Sequence, residues 1–229
     1  MARYYDDYWS RNAALWESTI YDKDAAGVTF VERVASLFRK ALLIDRRNAA
    51  VGHLKDRIKG RVVLDLGCAG GLLCHELLKS GAGKAVGVDI SPAAVDAAKK
   101  KFAALNIPDE KYEFLLSNVN DDDFTPPASD YVVSLGLVEY LRVPEIESLL
   151  AKIKGRGLFI AYEERQWWNP VGLCHYIYRK LKGFPYLTAL TKKELTAILR
   201  KYGFSNVEFY SSGNNRYFFA APYPHKGVR

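Results

Sequence analysis

The chain has 229 residues, of which 49% are hydrophobic, 26% charged and 13% aromatic, and its formal net charge is +7. That length suits one sizeable core rather than two independent domains, and the balance excludes disordered, collagen-like and fibrous classes. Residues 1–150 carry 19 Lys and Arg against 22 Asp and Glu, whereas residues 151–229 carry 14 against 4 and contain no Asp. A basic C-terminal third suits an anionic partner: a phosphorylated or carboxylated small molecule, nucleic acid, or an anionic membrane surface. Three cysteines without Cys-x-x-Cys spacing support neither a disulfide framework nor a zinc site, so no metal is expected. The opening MARYYDDYWS is aromatic and acidic rather than basic-then-apolar, and no apolar run approaches about 20 residues. A cytoplasmic chain without a transmembrane segment is therefore the expectation.

In chain order, residues 1–60 read as a helical cover, with Val31, Val34, Leu37, Phe38 and Leu42 on one stripe. From residue 61 short apolar runs alternate with helical stretches. Strands are predicted at 61–66 (RVVLDL), 85–90 (AVGVDI), 112–116, 130–135 and 157–162, and helices at 72–79, after Ser91-Pro92, and over 144–154. Ser91 suits a helix cap and Pro92 the first helical turn. After a long segment at 165–190, Thr191 and Glu194 form a capping box before an amphipathic helix that ends near Gly203. Strands at 206–211 and 216–221 then close the chain, too near each other for anything but an antiparallel pair. Alternating strand and helix predict an α/β, Rossmann-like, mostly parallel sheet with helices on both faces.

Chemistry concentrates at Leu64-Asp65-Leu66-Gly67-Cys68-Ala69-Gly70-Gly71, directly after the first strand. Glycines at a strand-to-helix turn admit a ligand where a Cβ would clash. Asp89, at the end of the second strand, is placed to accept the two hydroxyls of a ribose. A dinucleotide fingerprint needs Gly-x-Gly-x-x-Gly, and here position 69 is Ala and position 72 is Leu. Asp65 would also sit poorly beside a pyrophosphate and fits a cofactor with a cationic amino-acid end.

On VVLDLGCAGG (62–71), VGVDIS (86–91), SNVND (117–121) and DYVVSLGLVEYL (130–141), the sequence resembles the class I S-adenosylmethionine-dependent methyltransferases. The resemblance spans about residues 60–222. It implies a seven-stranded sheet with an antiparallel C-terminal strand and S-adenosyl-L-methionine as cofactor, with S-adenosyl-L-homocysteine as product. It also implies that Asp65 and the Gly67, Cys68, Ala69 and Gly71 backbone face the methionine moiety. Asp89 would face the ribose, Ile90 the adenine, and Asn118 and Val119 the adenine edge, with Leu135 and Gly136 on the cofactor's inner side. Three positions depart from the family pattern: Ala69 for glycine, Asn118 for Asp, and Tyr140 for His. The layout is most similar to ubiquinone-biosynthesis and magnesium-protoporphyrin methyltransferases.

A hydroxyl acceptor benefits from a general base, whereas a carboxylate needs none. His175, Tyr140 and Glu139 are the candidates. The segment 165–190 combines Trp167, Trp168, Tyr178 and Arg179 with further aromatics and cations, which suits an acceptor cap for a small anionic or aromatic molecule. Plain packing onto the domain accounts for most of these aromatics, and a helix lying on anionic lipid is a third reading. The domains expected are a cover at 1–60 and a methyltransferase domain at 61–229 carrying the 165–190 insert. Competing readings are an RNA methyltransferase, disfavoured because no RNA module accompanies the basic residues; a nicotinamide-dependent oxidoreductase; and a non-catalytic cofactor-binding subunit. The acceptor and the oligomeric state are not legible.

Overall fold

A computed structural model of the chain describes residues 44–164, 177, 188–211 and 217–223, the last stretch and residues 163, 206, 210 and 211 by backbone alone. The calls over residues 1–43, among them most of the helical cover, lie outside the described residues. Two compact units emerge, Met1–Asn118 and Val119–Arg229. In the first, a helix over residues 44–54 (α1) precedes β1 (Val62–Leu66), α2 (Leu72–Lys79), β2 (Lys84–Asp89), α3 (Pro92–Ala104), a 3-10 turn at Asp109–Lys111 and β3 (Tyr112–Leu116). β2 lies between β1 and β3 and is parallel to both, with Asp65 opposite Gly87 and Asp89 opposite Leu116.

The four central residues of β2, Ala85 to Val88, are all buried, as expected of a strand covered on both faces. Each parallel step needs a crossover, and α2 and α3 supply them. α2 buries Leu73, Cys74 and Leu77, and α3 buries Ala94, Val95, Ala98 and Phe102. Of these, Cys74, Val95, Ala98 and Phe102 meet Cys68, Ala85 and Phe114 in one apolar cluster, where Phe102 packs edge-on against Phe114 with centroids 4.8 Å apart. α3 begins where the Ser91 Oγ accepts the Ala94 N–H at 3.3 Å and Pro92 opens the first turn.

In the second unit, β4 (Tyr131–Leu135) leads through a 3-10 turn at Val138–Tyr140 into α4 (Val143–Lys152) and β5 (Gly157–Glu163). Then come α5 (Lys192–Lys201), β6 (Ser205–Ser211) and β7 (Tyr217–Tyr223). β4 and β5 are parallel, and β7 runs antiparallel to β5 on one side and to β6 on the other. The capping box at α5 forms as the sequence predicts: the Thr191 Oγ1 accepts the Glu194 N–H at 3.2 Å, and the Glu194 carboxylate accepts the Thr191 N–H at 2.8 Å.

Boundaries move by one or two residues. α4 stops at Lys152 rather than 154, because the chain turns into β5 through Gly155 at φ +82°. The two 3-10 turns are too short for an apolar periodicity to announce them.

Gly87 is the residue on which the packing of the first unit turns. A Cβ there would lie 2.7 Å from the Cys68 Sγ and 2.7 Å from Phe114 Cδ1. Gly87→Ala is expected to cost about 1–3 kcal/mol through overpacking, read as a lower urea midpoint at unchanged slope.

Candidate cofactor site

β1 ends and α2 begins across a turn with three left-handed residues: Gly67 at φ +77°, Ala69 at φ +44° and Gly71 at φ +73°. Gly67 and Gly71 reach this region at little cost, whereas Ala69 carries a Cβ penalty. Backbone bonds shape the turn. Gly67 N–H and Cys68 N–H both donate to Val88 O, at 2.8 and 3.1 Å, and Gly71 N–H donates to Cys68 O at 2.9 Å. A Cβ on Gly71 would sit 2.8 Å from the Phe114 ring, so the turn is seated tightly on β3.

Asp89 organises what surrounds it. Its Oδ2 accepts the Ala69 N–H at 2.9 Å and its Oδ1 accepts the Ser91 N–H at 2.9 Å. One carboxylate thus ties the glycine turn to the start of α3. Each carboxylate oxygen has a second lone-pair site, so both keep capacity for a ligand hydroxyl. Burial raises the Asp89 pKa, opposed by the backbone donors of Ser91, Ala69 and Ile90. Ile90 follows directly and is half-buried. The chain leaves β3 beside this carboxylate, since Ser117 N–H donates to Asp89 O at 3.0 Å, and half-buried Asn118 comes next.

Asp65 sits on β1, almost fully buried. Burial pushes its pKa up to about 7, the nearby Asp89 charge adds to the rise, and a hydrogen bond from the Cys74 thiol at 3.6 Å opposes it. No positive charge is among the groups that shift it. A desolvated carboxyl beside a second carboxylate is a receptor for a cation, because a bound ammonium would restore its charged form.

The structure therefore gathers Asp65, Gly67, Cys68, Ala69, Gly71, Asp89 and Ile90 around one strand-to-helix turn. Val119 and Leu135 belong to the second unit: Val119 is buried and Leu135 ends β4. Glu139, buried, and Tyr140, half-buried, share the 3-10 turn that follows β4. The 165–190 segment starts and finishes side by side, for Glu164 bridges Leu190 and the Glu164 carboxylate accepts the Lys192 N–H at 3.3 Å. Its far end returns to the β4 turn: Thr188 N–H donates to Glu139 O at 2.9 Å, and the Thr188 hydroxyl donates to Leu141 O. His175, Trp167, Trp168, Tyr178 and Arg179 lie outside the described residues.

Sequence reading missed three neighbours of the site. Cys74, on the buried face of α2, reaches Asp65; Lys101, on α3, donates from Nζ to Gly70 O at 2.6 Å; and Leu116, opposite Asp89, is 56% exposed. Lys101 stands 31 residues from Gly70, a separation no local pattern reveals.

A family model described as "Methyltransferase domain" matches residues 63–156, which include the glycine turn, Asp65 and Asp89. The chain is 29% identical over 103 residues to the mitochondrial ubiquinone biosynthesis O-methyltransferase of Schizosaccharomyces pombe, covering 44% of this chain and 37% of the relative. It is 34% identical over 113 residues to the magnesium-protoporphyrin O-methyltransferase of Rhodobacter capsulatus, covering 48% and 47%. A third match, 32% identical over 114 residues, is to the ribosomal protein L11 methyltransferase of Lactobacillus johnsonii, covering 41% and 36%. The chain thus spans less than half the length of each of these curated relatives. Among solved structures, the magnesium protoporphyrin IX methyltransferase of Synechocystis PCC 6803, crystallised with bound SAH, superimposes with a TM-score of 0.72 at 19% identity, over 97% of this chain and all of that one. The α/β, Rossmann-like methyltransferase fold expected from the sequence is thereby established. Among the described residues, no helix is long and apolar enough to cross a membrane, and no cluster of His, Cys, Asp and Glu could hold a metal ion.

The raised Asp65 pKa has a stability consequence. An acid that ionises near 3.8 when unfolded but near 7 when folded leaves the native state holding the extra proton between those values. Stability therefore falls as pH rises from about 4 to 7 and is level above that. Asp65→Asn should remove about 2–3 kcal/mol of the loss between pH 5 and pH 8, measured by urea unfolding at both values.

Proposed function

We propose that the protein is an S-adenosylmethionine-dependent methyltransferase acting on a hydroxyl or carboxyl group of a small anionic or aromatic acceptor. The observation that supports this reading is the pairing of a buried Asp65, to which no described cation is coupled, with a backbone-clamped Asp89 at one glycine turn. A ligand with an ammonium at one end and a ribose nearby satisfies both groups. A pyrophosphate would meet two carboxyl groups, which disfavours the nicotinamide-dependent reading.

In this reading Asp89 accepts the ribose hydroxyls through its remaining lone pairs, and Asp65 ionises against the ligand ammonium. Backbone groups from Gly67 to Gly71 line the amino-acid end, and Ile90 and Leu116 flank the base. Asn118 and Val119 contact its edge, Asn118 by hydrogen bonding without charge, while Leu135 covers the inner side. The cofactor, when bound, supplies the activated methyl group, so the protein's task is to bind, orient and exclude water. Glu139 and Tyr140, on the turn after β4, and His175, in the insert, are the groups proposed to take a proton from a hydroxyl acceptor. Trp167, Trp168, Tyr178 and Arg179 are proposed to hold the acceptor; the return of the segment's far end to Glu139 and Leu141 supports that role.

The proposed architecture is a helical cover at 1–60 and a methyltransferase domain at 61–229 with a seven-stranded, mostly parallel sheet and an antiparallel C-terminal strand. The proposed site of action is the cytoplasm. A protein acceptor is the second reading, favoured by the match to a ribosomal protein methyltransferase.

Calorimetry with S-adenosylhomocysteine and with NADH tests the cofactor assignment. Wild type should bind the former and ignore the latter, and Asp89→Ala should weaken S-adenosylhomocysteine by about 30-fold or more, as expected for losing hydrogen bonds to a charged acceptor. Equal binding by Asp89→Ala, or preference for NADH, would overturn the assignment.

A further inference from the structure

We propose that Lys101 is a positioning residue for the cofactor turn, and that this chain needs it because Ala69 stands where the backbone is left-handed. The proposal rests on the cofactor assignment above and concerns how the turn that would receive the cofactor is held.

The geometry is local. Ala69 has φ +44°, a region that costs a residue with a Cβ about 1–2 kcal/mol relative to the right-handed one. Left to itself, such a turn flips toward less strained conformers, and those displace the amides of residues 69–71. Two bonds oppose the flip from opposite sides of the strained peptide. The Asp89 carboxylate accepts the Ala69 N–H at 2.9 Å, and the Lys101 ammonium donates to Gly70 O at 2.6 Å. The first anchors the residue entering the strained position and the second anchors the carbonyl just beyond it. Both are charge-assisted, the stronger class of hydrogen bond.

Lys101 is well placed to be a fixed anchor. It occupies the last turn of α3, whose neighbouring Ala98 and Phe102 are fully buried. Its side chain runs back across the helix to the turn rather than out to solvent, and the residue is half-buried. Its bond to Gly70 O acts on the backbone of the turn, which is the route by which it would affect a ligand. A glycine at position 69 would remove the strain and lessen the need for the clamp. Position 69 and position 101 should therefore be energetically coupled although 32 residues separate them.

The test is a two-by-two set of Lys101→Met and Ala69→Gly, read by S-adenosylhomocysteine calorimetry and by amide hydrogen exchange of the unliganded protein. Lys101→Met should weaken S-adenosylhomocysteine about tenfold, the size expected for a charge-assisted hydrogen bond, with the thermal midpoint of α3 and its core little changed. Exchange at the Ala69 and Gly71 amides should quicken by a similar factor. Adding Ala69→Gly to Lys101→Met should recover at least about half of the loss on a logarithmic scale, which a lysine that merely packs α3 would not show. Wild-type binding by Lys101→Met, or the same factor for Ala69→Gly on both backgrounds, overturns the proposal. If the wild type fails to bind S-adenosylhomocysteine, the cofactor assignment falls, and the exchange arm still decides the clamp: unaltered exchange in Lys101→Met refutes it.

Discussion

The bidentate hold of the Asp89 carboxylate on two backbone N–H groups is the interaction on which the first unit's functional end depends. It joins the last residue of β2 to the turn after β1 and to the start of α3, so three elements share one anion. The anion is itself disfavoured by burial. A second carboxyl, Asp65, is buried deeper on the neighbouring strand, where burial and the Asp89 charge raise its pKa and the Cys74 thiol bonds it. The Asp89 bonds hold the fold together, whereas burying the Asp65 carboxyl costs stability. A receptor for a cationic, hydroxyl-bearing ligand gains the charge complementarity it needs.

Much of this was legible in the sequence because it follows from short-range pattern. The run of apolar residues in β2, the Ser91-Pro92 start of α3 and the Thr191–Glu194 capping box are each encoded within a few residues. The strand–glycine–helix context puts Asp65 on β1 and Asp89 at the end of β2, and the parallel register of those strands brings the two near each other. Lys101 and Cys74 were not legible. Cys74 reaches Asp65 from the buried face of α2 and half-buried Lys101 reaches Gly70 O from the last turn of α3, tertiary contacts that a small thiol and a lysine stem do not announce in the sequence. The 3-10 turn carrying Glu139 and Tyr140 escaped for a different reason, being one turn long.

The basic charge of the C-terminal third acquires a more specific meaning. Several of its cations serve the second unit's own structure. Lys152 donates to the Asp121 carbonyl at 2.8 Å, Arg156 to the Pro127 carbonyl at 2.6 Å and the Ser129 hydroxyl at 2.9 Å, and Lys201 pairs with Glu147 at 2.9 Å. Counting net charge alone therefore overstates what is left for a partner. Exposed pairs such as Lys201 and Glu147 contribute little to stability, but they do occupy the charge. The near-neutral first 150 residues, by contrast, hold the whole of the glycine turn and both carboxyl groups.

The central claim is that Asp65 is a buried carboxyl awaiting a cation. Carboxyl-carbon NMR titration of Asp65, with and without saturating S-adenosylmethionine, tests it most directly. The account predicts a midpoint near 7 in the free protein and a fall of about two units or more once the ligand ammonium is bound. A midpoint near 4 in the free protein, or one that the ligand leaves unmoved, would contradict it.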